Sequence, residues 1–172
     1  SKGYPNLNDD DWLWGGDITS IHTTLVHGIR SPGVDETRFS QMPAFADILS
    51  KGQISALVNH VRAISGQGKA SAAGAQLFAE NCASCHGTDG KGMREQGAPN
   101  LTDGIWLYGG DRASLTQTIA KARYGVMPHW AGRLDDATVK MLAAYVHSLG
   151  GGEANPAPVT ASASTGEANV GS

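Results

Sequence analysis

The chain has 172 residues, 40% of them apolar, with 13 basic against 16 acidic side chains and a formal charge of −3. That length carries one globular domain or two small ones, the weakly acidic balance offers no basic stripe to nucleic acid, and no run of about 18 apolar residues is present to cross a bilayer. Ser1 leads straight into polar, turn-rich sequence without the charged start and apolar run of a secretion signal, as a mature or trimmed product would.

The first recognisable stretch is Tyr4 to Asp17, "YPNLNDDDWLWGGD". Its acidic run, Asp9 to Asp11, reads as a solvated turn or a helix entry rather than a docking patch. A long loop, "RSPGVDETRFSQ", then leads to Met42-Pro43, and Leu49, Ile54, Leu57, Val61 and Ile64 follow at helical spacing. Ser65 to Ser71, "SGQGKAS", reads as a short linker.

The next helix is expected from about Ser71 to Cys82, with Leu77 and Phe78 on its apolar side. It delivers the chain's two cysteines, Cys82 and Cys85, in a C-x-x-C followed at once by His86. Three chemistries use such a pair. A zinc site needs four ligands, yet the next histidine is His129 and no cysteine remains. A redox dithiol belongs beside a strand-helix-strand pattern, and the flanks here read as helix and glycine-rich loop. The pentapeptide is instead the signature of covalent haem attachment, and that reading is favoured. Two thiols three positions apart lie on one face and can each add to a vinyl group, while the adjacent imidazole becomes the proximal iron ligand.

After the loop "HGTDGKGMREQGAPNL", a second stretch, "APNLTDGIWLYGGD", runs from Ala98 to Asp111. Asp111 is the expected N-cap of a helix bearing Leu115, Ile119 and Ala122 and closing near Gly125. Four methionines compete for the far side of the iron. Met93 follows His86 too closely, and Met141 occupies a core-like helical position. Met127, in "YGVMPHW", sits in a loop stiffened by Pro128, and it is preferred over its neighbour His129. A methionine thioether opposite histidine is the arrangement of electron-transfer haem. The last helix is expected from about Asp135 to Leu149, burying Val139, Leu142, Val146 and Leu149 and packing across the Ser71–Cys82 helix. Beyond Gly150 the sequence loses all period, so residues 151–172 read as a disordered tail.

The chain is internally repeated. Pro5-Asn6-Leu7 aligns with Pro99-Asn100-Leu101, and Trp12, Gly15, Gly16 and Asp17 with Trp106, Gly109, Gly110 and Asp111, all at an offset of 94. Met42-Pro43 aligns with Met127-Pro128 at an offset of 85, which the following helix keeps. The first copy has no C-x-x-C-H of its own. A chain that starts partway through a first domain explains that better than loss of a haem, which would leave Trp12 and Trp14 on an exposed apolar surface.

"CASCHG", "GAPNL" and "GVMPHW", in that order between two helices, resemble a class I cytochrome c domain. The resemblance implies an all-α fold of tandem class I cytochrome c domains, the first incomplete at its N-terminus. It divides the chain into a partial first domain over 1–64, a linker over 65–71, a complete second domain over 72–150 and the tail. It also implies that Cys82 and Cys85 bind the haem vinyls, that His86 and Met127 ligate iron, and that Met42 serves a first haem where one is present. Pro99, with Asn100 and Leu101 beside it, resembles the loop whose carbonyl steadies the histidine Nδ1–H. Trp106, Tyr108 and Arg123 are candidates for the haem propionates or edge.

The two W-L-x-G-G-D stretches closely resemble the diheme cytochrome c subunit (subunit III) of cbb3-type terminal oxidases, over roughly Gly3 to Gly150. That likeness implies haem c at one covalent site here and a second in the full-length family protein. It implies a relay of electrons, with no catalytic group of its own, from a cytochrome c or bc1-type donor to other oxidase subunits and their haem–copper centre. It also implies the periplasmic side of the bacterial inner membrane and a membrane helix absent from this sequence. A stand-alone soluble diheme cytochrome is the alternative.

Overall fold

The computed structural model describes residues 2–156, and all its regular elements are helical. Helix α1 covers Ile18–His27, α2 Lys51–Ile64, α3 Ala72–Asn81, α4 Ala83–His86, α5 Arg112–Lys121 and α6 Asp136–Ser148, with a 3-10 turn at Arg94–Gln96. Among the described residues there is no strand, only isolated bridges. None of these helices is long and apolar enough to cross a membrane.

Each longer helix starts where a short polar side chain can take up the first free amides. Asp17 accepts from the Thr19 and Ser20 amides, Ser71 from Gly74, Asp111 from Ser114 and Asp135 from Thr138. Ser50 and Gln53 form a reciprocal capping box at the head of α2. The acidic run ends before this point: Asp9 accepts from the Asp11 amide at 3.3 Å, a local turn rather than a helix entry. Helix α5 stops at Lys121, short of Gly125, because Ala122 turns to a φ of 54°.

One apolar cluster joins Ile54, Leu57, Val58 and Val61 of α2 to Phe78 of α3, Leu115 and Ile119 of α5, and the loop residues Phe45 and Leu101. Helix α2 thus packs on α3 and α5, and α6 packs on α1. This corrects the expected crossing of α6 over α3. The seven residues between α2 and α3 are too few to separate two bodies, and Gly66, at a φ of 80°, turns the chain back so that the two helices form a hairpin. Gly74 lets them approach closely, since a Cβ there would stand 2.7 Å from the Ala56 carbonyl oxygen.

On α6, Val139 and Ala143 are buried and Leu142 and Val146 half-buried. Met141 lies on the opposite face, 64% exposed, and is not a core residue. The expected tail also starts later than Gly150: the Trp12 indole donates to the Gly151 carbonyl at 2.6 Å, and the Glu153 amide to the Gly16 carbonyl at 3.0 Å. The remainder of that expectation, residues 157–172, lies outside the described residues.

Candidate functional site

Cys82 follows α3 as its C-terminal cap, and its carbonyl accepts the His86 amide at 2.9 Å, so the short helix α4 sets Cys82, Cys85 and His86 on one turn. Both cysteines are free and half-buried. Burial, with a smaller contribution from Cys85, pushes the Cys82 thiol up to about 11, so it rests as a neutral thiol. Reactive dithiols have the opposite setting, a thiol lowered toward neutrality.

His86 is held by its own loop. Its Nδ1 donates to the Pro99 carbonyl at 3.1 Å, which fixes the tautomer and leaves the Nε2 lone pair for a metal. Burial lowers the basicity of the ring, and the Pro99 bond opposes that only in part. Asn100 and Leu101 stand in the expected loop with different tasks. The Asn100 side chain accepts from the Thr102 amide at 2.9 Å and from its hydroxyl at 2.7 Å, closing the turn, whereas Leu101 enters the apolar cluster.

The two candidate methionines lie in different surroundings. Met42 packs against the apolar cluster in company with Cys82, Ala83 and Trp106. Met127 sits at the end of α1, exchanging backbone hydrogen bonds with Ile29 at 2.9 and 3.0 Å. The two loops obey one rule. Following Met42, the amides of Phe45 and Ala46 donate to the Ile119 and Ala120 carbonyls of α5, at 3.1 and 3.0 Å. Following Met127, the amides of Trp130 and Ala131 donate to the Leu25 and Val26 carbonyls of α1, at 2.9 and 3.4 Å. These donors are related by the 85-residue offset and the acceptors by 94, so each methionine loop docks on the helix of the other repeat. His129 is fixed separately, its Nδ1 2.9 Å from the buried Ser31 hydroxyl.

The W-x-x-x-G spacing in the repeat has a steric cause. A Cβ on Gly16 or Gly110 would fall inside the indole of Trp12 or Trp106, at 2.3 and 2.4 Å. The two indoles differ in one respect. Trp12 Nε1 has the Gly151 carbonyl, but Trp106 Nε1 is buried with no partner, as is Arg123 Nε, whose guanidinium lies over the Tyr108 ring at 5.0 Å. Arg38 stands over Trp14 at 5.5 Å in the matching place of the other repeat. A buried donor without an acceptor is costly, and a group carrying carboxylates beside Trp106 and Arg123 would supply what is missing. The residues present therefore fit a haem: two thiols for its vinyls, an oriented imidazole, a thioether, apolar walls and unpartnered donors for its acidic edge.

Residues 69–146 match the family model described as cytochrome c oxidase, cbb3-type, subunit III. The chain is 62% identical over 156 residues to the Cbb3-type cytochrome c oxidase subunit CcoP of Cereibacter sphaeroides, an alignment covering 88% of this chain and 54% of that protein. It is 55% identical to subunit FixP of Azorhizobium caulinodans, over 89% of this chain and 53% of that one. Subunit CcoP of Rhodobacter capsulatus is 52% identical, over 89% and 56%. The chain spans about half the length of the curated relatives it matches.

Proposed function

We propose, from the premise that this chain belongs to the subunit III family of cbb3-type cytochrome c oxidases, that it is an electron-relay subunit carrying haem c at Cys82, Cys85 and His86. The observation that carries the reading is the His86 ring itself, tied at Nδ1 to the Pro99 carbonyl and free at Nε2, one residue after Cys85. When bound, haem supplies the one-electron iron couple. The protein's part would be to hold the group through Cys82, Cys85 and His86 and to keep water away with the apolar walls around them.

Met42 rather than Met127 would hold this iron together with His86. What supports the exchange is that Met42 shares its cluster with Cys82 while Met127 is paired to Ile29 beyond it. Met127 then belongs to the second haem of the diheme family, standing toward α1 as Met42 stands toward α5. The functional units are two interlocked cytochrome c folds rather than consecutive ones: α2, α3, α4 and α5 with the Met42 loop form one, and α1 and α6 with the Met127 loop belong to the other. Trp106 and Arg123 serve as donors to the propionates of the first.

Other subunits of a terminal oxidase are the acceptors, and a cytochrome c or bc1-type protein on the periplasmic face of the membrane is the donor. The test is a pyridine haemochrome assay with intact mass on the purified chain, then reoxidation by the other oxidase subunits. One covalent haem per chain and electron delivery to them are expected. A colourless product, or a haem with an open sixth position, would sink the reading.

A further inference from the structure

Glu153 follows the last helix and belongs to none of the machinery above, yet through four hydrogen bonds it joins three separate parts of the molecule. Its amide donates to the Gly16 carbonyl at 3.0 Å, and its carboxylate Oε2 accepts the Gly16 amide at 2.7 Å. Its carbonyl accepts from His147 Nε2 at 2.8 Å, which anchors it to α6. Its remaining oxygen, Oε1, accepts from the Arg94 guanidinium in an ion pair whose carboxylate is about three-quarters buried.

Arg94 opens the 3-10 turn of a small closed loop. The Met93 amide donates to the Ala98 carbonyl at 3.3 Å, and the Ala98 amide returns to the Met93 carbonyl at 3.1 Å. Trp14 closes over Gly97, leaving no room for a side chain there. The next residue is Pro99, whose carbonyl receives the His86 Nδ1–H. The backbone hydrogen bonds of residues 93–98 run within the loop, so it stays docked only as far as contacts from outside hold it. The hydrogen bond to an iron-ligating imidazole governs how strongly that imidazole donates to the metal.

We propose that Glu153 is a positioning residue for His86: through Arg94 it holds the Met93–Ala98 loop closed, and so keeps the Pro99 carbonyl on the imidazole Nδ1–H. The proposal rests on the reading of His86 as an iron ligand. It makes the reduction potential at the Cys82–His86 site depend on a carboxylate anchored to α1's entry turn and to α6.

Glu153→Gln, Arg94→Gln and the double variant test it in the haem-loaded chain. Glutamine keeps the length of Glu153 and an acceptor for the Gly16 amide, so the fold is spared. Loss of the link weakens the Nδ1–H bond, makes the imidazole a poorer donor to ferric iron and raises the potential in either single variant. Plain charge effects predict the opposite pattern, because deleting a carboxylate raises a nearby potential while deleting a guanidinium lowers it. The expected result is the same upward shift from both variants, no further shift in the double variant, and roughly tenfold faster hydrogen exchange at the Met93 and Ala98 amides. Opposite shifts, absent shifts, or unchanged exchange at those amides overturn the proposal. Intact mass of the unmutated chain tests the haem reading separately, and the exchange measurement does not depend on it.

Discussion

The Phe45 amide donates to the Ile119 carbonyl at 3.1 Å, and the Trp130 amide, 85 residues after Phe45, donates to the Leu25 carbonyl at 2.9 Å, 94 residues before Ile119. Each bond seats a methionine loop on the last turn of a helix in the other repeat. Such a bond also satisfies carbonyls that a helix end otherwise leaves open.

The exchange separates the two methionines experimentally. With a haem at Cys82 and Cys85, Met42→Ala should abolish the red-edge charge-transfer band of the oxidised protein, and Met127→Ala should leave it intact. The electronic absorption spectrum of each purified variant is the measurement, and loss of the band in Met127→Ala alone would restore the sequential assignment.

Fragments give a second test. Residues 38–124 contain the Met42 loop, α2, α3, α4 and α5, and should fold alone with a six-coordinate haem. Residues 72–150, the unit that sequence order favours, lack α2 and leave Phe78, which is 4% exposed in the whole chain, without cover. That fragment should show no cooperative thermal transition by circular dichroism.

Core substitutions should follow burial and not helical pattern. Leu57, at 0% exposure, is predicted to lose about 3 kcal/mol on replacement by alanine. Met141→Ala, at an exposed position, should stay within about 0.5 kcal/mol of the parent. Denaturant midpoints of the two variants check both.

The chain without haem should weaken in mild acid. Burial holds the His86 and His60 rings below the ordinary imidazole value of 6.5. The unfolded chain therefore binds protons first as pH falls through about 6.5, and stability drops below that point and is unaffected above it. An iron held at His86 Nε2 would keep that nitrogen from protonating in the folded chain, so the loss in acid would persist wherever unfolding frees the ring. Unfolding midpoints at pH 7.5 and 5.5, with and without haem, measure the difference.

Much of this was legible in the sequence because it is local. The Asp111 and Asp135 caps, the Cys82–Cys85–His86 turn and the Pro99 loop are all decided within a few residues. Partner choice between helices is not local. The heptad-like spacing on α6 states that one face is buried but not against which helix, and so α1 could not be told from α3. The repeat pointed to two equivalent halves, and equivalence is preserved whether each half closes on itself or on its twin. Glu153 was hidden for another reason: a single glutamate in glycine-rich sequence has no periodic signal, and its task is set by Gly16 and Arg94, residues far away in the chain.

The interlocking also fixes an order of birth. On a ribosome, α1 emerges early and must wait for α6, more than a hundred residues later, whereas α2 meets α3 almost at once. The partners of α2, namely α3 and α5, have all been made by the time α5 is complete, while α1 still lacks α6. The α1–α6 contact closes last, and a chain stopped before α6 would leave α1 without the helix it packs on.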